Sequence, residues 1–250
     1  GDWGDATVAQ GRVSNAICDA HDVRSLSFVL TTGDNFSRPD GVATSENWTE
    51  PEACIRRRGL GYVATWGNHD LGGDATRTVL GAPARDYTLR RGPLRLVVLD
   101  GNRPDATAAR RRLIRALARR DAPATLVAVH QPLVTAGFHR GGPARWQRIV
   151  EAGGATLVLQ GHNHLYERIH QGGVAYVTTG GGGATLTPCR WAQAGQEVCR
   201  PRHHFLLVTA DARRLLVDAH GDDGVRFDRL SLPVRGGVGD PAEIVHAGIL

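Results

Sequence analysis

The sequence predicts an α/β fold of two packed mixed β-sheets flanked by helices, on three observations. Short runs rich in Val, Leu and Thr alternate with helical patterns along most of the chain, the signature of strands with helical crossovers. Near the end four such runs follow one another with tight turns and no helix between them, as in a largely antiparallel sheet packed on the first. Several runs also end in glycine followed by a polar or imidazole residue, at the edge where open α/β sheets carry their sites.

Taken in order, "SLSFVLTT" reads as a strand, "ENWTEPEACIRRR" as a helix and "GYVATW" as a strand. "YTLRRGPLRLVVLD" reads as a hairpin, and "ARRRLIRALARR" as a helix. "ATLVAV", "ARWQRIVEAG" and "ATLVLQ" continue the alternation as strand, helix and strand. "GVAYVTT", "HHFLLVTA", "RRLLVDAH" and "VRFDRLSL" are the consecutive strands of the second sheet. At 250 residues the chain allows one or two domains. No Pro/Ser-rich linker, repeat or low-complexity tract divides it, and the run Gly180 to Gly183 directly follows an apolar strand. A single domain over 1–250 is expected.

All thirty basic residues are arginine, and the net charge is +5. The densest run places Leu113, Ile114 and Leu117 at helical spacing, which reads as an amphipathic helix with a solvated Arg face. No aromatics interleave with those arginines, as a single-strand nucleic-acid binder would need, so no nucleic-acid scaffold is expected. No apolar run approaches the roughly 20 residues that span a bilayer, and no membrane partner is expected.

Cys18, Cys54, Cys189 and Cys199 show no CxxC spacing, which sets aside zinc-finger and thioredoxin readings. Four cysteines allow three connectivities. Cys18 with Cys54 and Cys189 with Cys199 is the expected pairing, the second closing a short polar loop, and four buried free thiols are the alternative. Paired cysteines imply a secreted or extracellular protein. The chain carries no signal peptide, and its abrupt beginning is compatible with the removal of one.

Four strand ends carry the chemistry. Gly33-Asp34-Asn35 follows "SLSFVLTT", Gly67-Asn68-His69-Asp70 follows "GYVATW", His130 follows "ATLVAV", and Gly161-His162-Asn163-His164 follows "ATLVLQ". In an extended backbone His162 and His164 point the same way, and four strands delivering oxygen and imidazole ligands to one edge indicate metal. Asp2, in the opening "GDWGD", joins the same edge if a strand precedes it. Asp100, at the end of "LRLVVLD", reads as a loop cap, and His21, His170, His203, His204, His220 and His246 as packing or surface residues.

"GDWG", "GDN", "GNHD", "VHQP" and "GHNHLYER" occur in the order found in the calcineurin-like metallophosphoesterases, and the chain resembles the purple acid phosphatase branch of that superfamily. The resemblance covers Asp2 to Arg168, and the later "YVTTGGGG" is similar to a loop that closes the second sheet. It implies a four-layer α/β/β/α sandwich and two divalent or trivalent metal ions, Fe, Mn or Zn. One would be held by Asp2, Asp34 and His164, the other by Asp34, Asn68, His130 and His162, with Asp34 bridging. It implies phosphomonoester hydrolysis by attack of a metal-bridging hydroxide on a small-molecule phosphate ester. His69 is then the proton donor to the leaving group, Asp70 a candidate to orient its ring, and His139 in "TAGFHRGG" a phosphate contact. It further implies a central strand upstream of Gly1.

One departure stands out: the purple branch has a tyrosine ligand where this sequence reads Ser37, and Gly4 offers no histidine in its place. The first metal is therefore expected to lack one protein ligand, and the iron form to lack a purple colour. A phosphodiesterase or nucleotide hydrolase uses the same residues and differs in loops such as 37–49 and 133–146. A metal- or phosphate-binding relative without turnover is the alternative of another class.

Overall fold

The computed structural model describes residues 1–103, 105–139, 142–190, 192–235 and 243–250; of the loop 133–146, residues 140 and 141 lie outside them. Helix α1 (Val8–Arg24) is capped by the Thr7 hydroxyl, which accepts from the Gln10 N–H, and ends at Ser25 in the left-handed region. It buries Val13, Ile17 and Cys18 along one face. Next come β1 (Phe28–Thr31), α2 (Ala53–Arg57), β2 (Tyr62–Ala64), the single turn α3 (Ala75–Thr78), β3 (Tyr87–Arg91) and β4 (Leu94–Leu99). Helix α4 (Thr107–Ala118), β5 (Ala124–Val129), α5 (Ala144–Gly153) and β6 (Leu157–Gln160) complete the alternating part. The chain then runs through β7 (Tyr166–Gln171), β8 (Val174–Thr179), β9 (Gln196–Arg200), β10 (His204–Ala210), β11 (Arg214–Gly221), β12 (Arg226–Pro233) and β13 (Val245–Ile249).

The strands form a six-stranded sheet, β12-β11-β10-β13-β1-β2, and a seven-stranded sheet, β3-β4-β5-β6-β8-β7-β9. Strand alternation divides the core. Phe28, Leu30, Leu94, Leu96, Val98, Leu206 and Val208 meet between the sheets. Val29 and Ala64 turn outward onto α1 and α2, while Val97, Leu99 and Val127 turn onto α4 and α5. Helices, sheet, sheet and helices therefore stack in four layers.

The expected split between sheets is corrected in two respects. "GVAYVTT" is β8, parallel to β6 in the seven-stranded sheet, because β7 doubles back antiparallel and returns the chain beside β6. Strands β1 and β2 belong instead with β10 to β13. The helix expected over "ENWTEPEACIRRR" is interrupted at Pro51, which leaves one π-helical turn, Ser45–Thr49, before α2. On α4, Leu113 and Leu117 are buried but Ile114 is exposed. Helix α1 has no counterpart among the expected elements.

The edge of β1 away from β2 is filled by β13, with Val29 opposite Gly248 in parallel register. The Thr32 N–H donates to the Leu250 carbonyl at 2.9 Å, so β1 has a partner on both sides at the point where its metal-site loop departs. Cys18–Cys54 and Cys189–Cys199 are both disulfide-bonded. No helix among the described residues is long and apolar enough to cross a membrane.

Candidate metal centre

The strand ends of both sheets converge. Asp34 follows β1, Asn68 follows β2, His130 follows β5 and His162 follows β6. Asp34, His130 and His162 present ligand atoms all within 4.8 Å of one another. His130 Nε2 lies 3.2 Å from each of Asp34 Oδ2, Asn68 Oδ1 and His162 Nδ1. Its Nδ1 donates to the Thr32 carbonyl at 2.9 Å, which can only accept, so in the neutral ring Nε2 is a lone pair. Lone pairs facing one another around a common point are what ligands of a cation look like, and the carbonyl partner fixes the tautomer as metal-binding histidines require.

Asp2 and His164 form the neighbouring pair, with Oδ1 and Nε2 3.3 Å apart. Here too Nδ1 donates to a carbonyl, that of Thr185, at 2.7 Å, and Asp2 Oδ1 is buried without a hydrogen bond. A buried carboxylate oxygen with only the edge of an imidazole ring beside it is costly unless a cation, metal or imidazolium, meets it. The residues present fit the metal set that the sequence implies.

Charge in the pocket follows the same logic. Burial pulls His130 down, but Asp34 and Asp2 outweigh it and the ring rises to about 9. Burial likewise opposes His164, yet its contact with Asp2 lifts it to about 9. Burial and the neighbouring His130 hold His162 down at about 4, so it is a neutral ligand over the physiological range. Both Asp2 and Asp34 resist the burial that would raise them and sit below the ordinary carboxylate range because of these histidines.

The backbone is strained to achieve this. Three of the five non-glycine residues with positive φ among the described residues are Asp2 (60°), Asp34 (50°) and His162 (69°), a conformation costing on the order of 1–3 kcal/mol each. Backbone amides then set the carboxylates: His162 N–H donates to Asp2 Oδ2 and His69 N–H to Asp34 Oδ1, both at 2.9 Å. Gly67 is needed for space, since a Cβ there would lie 2.0 Å from Asp34 Oδ1.

Beside these groups is a cavity of about 110 Å³ lined by Asp5, Asp34, Ser37, Arg38, His69 and His164. His69 Nδ1 lies 2.8 Å from Asp40 Oδ1. That corrects the expectation for Asp70, which instead accepts from the amides of Asn35, Phe36 and Gly67 and from the Asn35 side chain. Asp70 buttresses the Asp34 loop; Asp40 orients His69. The sequence offered no signal for Asp40 beyond its acidity, because it reaches the ring through the fold of loop 36–44. His139 packs against His162 with tilted rings, centroids 4.6 Å apart, and its backbone N–H donates to Asn163 Oδ1 at 2.7 Å. Ser37 lines the cavity with its hydroxyl donating to the Asp34 carbonyl at 3.4 Å, while Arg38 pairs with Asp5 at 3.0 Å. Asp100 caps its loop as expected, accepting from the Asn102 N–H and the Arg103 guanidinium.

The fold is shared with solved proteins. GAP50, the anchor in the inner membrane complex of Plasmodium, superposes with a TM-score of 0.79 at 17% identity over 94% of this chain and 87% of its own. Purple acid phosphatase PPD1 from yellow lupin (Lupinus luteus) seeds superposes with a TM-score of 0.76 at 19% identity. That match covers 91% of this chain, which spans about half (49%) of the lupin protein. At such identities the likeness is one of fold. No curated protein matches the chain in sequence. Residues 1–166 match the calcineurin-like phosphoesterases, and with these motifs gathered where the strand ends of the two sheets meet the chain belongs to the calcineurin-like phosphoesterase family.

Proposed function

We propose that the protein hydrolyses phosphomonoesters at a two-metal centre. The observation that carries this reading is the position of His130 Nε2, 3.2 Å from Asp34, Asn68 and His162 at once. Those four residues would hold one cation, and Asp2, His164 and the shared Asp34 the other. Carboxylate, amide and imidazole without thiolate suit Fe, Mn or Zn. Such a pair, when bound, neutralises phosphoryl charge and acidifies water at neutral pH.

The chain's own residues do the rest. Thr32 and Thr185 carbonyls hold the His130 and His164 rings in one tautomer. His69, with Nδ1 engaged by Asp40, offers Nε2 to the departing oxygen as proton donor. His139, against His162, contacts the phosphoryl oxygens. The cavity of about 110 Å³ suits a phosphoryl group whose leaving group stays outside, which favours a small monoester over a diester. Two disulfides favour an oxidising, extracellular setting.

The test pairs metal analysis of protein purified without added ions with turnover of an aryl phosphate and its bis-aryl diester. Two metals per chain and preference for the monoester are expected. Faster diester turnover would make the protein a phosphodiesterase. Fully loaded protein without turnover would make it a binding protein, a role for which the fold's occurrence in a membrane-complex anchor is the precedent.

A further inference from the structure

The β3–β4 hairpin and the second half of α4 enclose a cleft of about 410 Å³, within the roughly 300–1,000 Å³ of small-molecule sites. It lies on the helix-covered face of the seven-stranded sheet, at the start of β4, whereas the metal centre lies past strand ends at the opposite edge. Five guanidinium groups and one carboxylate line it.

Three buried donors in this cleft have no hydrogen-bond partner: Thr88 Oγ1, Arg95 Nε and Arg112 Nε. Arg95 is only 5% exposed, and Arg90 stands directly opposite it in the β3–β4 ladder. Like charges in facing positions destabilise a sheet. Asp121 answers only part of this charge, since it is shared between Arg95 and Arg119. Arg115 adds a further guanidinium to the lining. Burial, Arg119 and Arg90 together push the Arg95 pKa down, the direction expected where positive charge outnumbers negative.

A solvated helix face, or arginines complementing the C-terminal end of the α4 dipole, accounts for Arg115 and Arg119. Neither accounts for a buried arginine facing another across a ladder, and water filling the cleft leaves five guanidinium groups with one carboxylate between them. We infer that this cleft binds a condensed phosphate or comparable polyvalent oxyanion, at a site separate from the metal centre. Its oxygens would accept from Thr88, Arg95 and Arg112 and neutralise Arg90 and Arg115.

The probe is inorganic tripolyphosphate titrated calorimetrically into chelator-treated protein, with orthophosphate as the smaller comparison. Saturable binding that weakens with salt and is tighter for tripolyphosphate is expected. The exposed pair Arg90→Gln/Arg115→Gln should lower affinity about tenfold or more, the loss of charge-assisted hydrogen bonds. Arg213→Gln/Arg214→Gln, the same charge removed at the β10–β11 turn, should change it less than about twofold. Metal-loaded Arg90→Gln/Arg115→Gln should keep its phosphatase rate. Equal losses in both double variants, no loss in either, or no saturable binding would overturn the site. Parallel loss of turnover would overturn its separateness.

Discussion

Asp40 holds His69: its Oδ1 lies 2.8 Å from the ring Nδ1, from a loop with no place in the strand-end pattern. His69→Ala should lower turnover by roughly 10² to 10⁴ with metal content unchanged. The loss should be smaller for an aryl phosphate than for an alkyl phosphate, whose leaving group needs the proton more. Asp40→Asn should act in the same sense, at about tenfold, through kcat and not KM. Equal losses on both esters would remove His69 from the acid role and Asp40 with it.

Gly67→Ala puts a Cβ where Asp34 Oδ1 now sits, 2.0 Å away. Metal affinity should fall by about 10- to 100-fold, as for disturbed ligand orientation, while the far-UV circular dichroism stays native. Full metal occupancy after dialysis of the variant would contradict the bridging place given to Asp34.

Ser37 faces the same cavity as Asp34 and His164. The iron-loaded protein should therefore be colourless or pale, and Ser37→Tyr should tighten the first metal and introduce a visible absorption band. Native protein that is already purple, or a variant without the band, would show that position 37 does not reach the metal.

Glu52 is fully buried beneath α1, where the Ser14 hydroxyl donates to one of its oxygens and the Tyr62 hydroxyl to the other. Burial raises its pKa from 4.5 to about 7, against the pull of those hydrogen bonds. The folded state then holds a proton that the unfolded chain releases above pH 4.5, so stability falls as pH rises from 4.5 to about 7. The full penalty is about 3 kcal/mol. Glu52→Gln should match the parent near pH 4 and exceed it by that amount at pH 8. Equal denaturant midpoints at pH 8 would refute this.

The two disulfides should contribute unequally. Cys18–Cys54 spans 36 residues and Cys189–Cys199 spans 10, so loop-closure entropy gives about 4 and about 3 kcal/mol respectively. Replacing each pair with serine and following urea unfolding checks the order, and a larger cost for the shorter loop would reverse it.

Asp34, Asn68, His130 and His162 were legible as candidates because each sits one or two residues beyond an apolar run, and strand ends are marked in sequence by that change of character; His164 stood out by its spacing from His162, and Asp2 through the resemblance. Helix α1 was not, because Val8 and Val23 are 78% and 80% exposed and blur the stripe formed by Val13 and Ile17. Nor was the division of strands between sheets, since β1 and β8 are equally buried and hydropathy does not say which neighbour buries a strand. The place of Asp40 depends on the Asn47 side chain donating to the carbonyls of Arg38 and Val42, a fold-back with no periodicity to detect. Arg95 lies within an expected hairpin strand, and its burial was not legible because it depends on which face of that strand the helix α4 covers.

The pairing of β1 with β13 sets the order of assembly. Leu30 and Ile249 are register partners, more than two hundred positions apart along the chain, so the strand that launches Asp34 acquires its second neighbour only through a very long-range closure. Contacts of such separation form slowly, because the entropy of closing the loop comes before any reward. Metal uptake should therefore trail the bulk of refolding after dilution from denaturant, with helical signal returning first and cation binding arriving in the slowest phase.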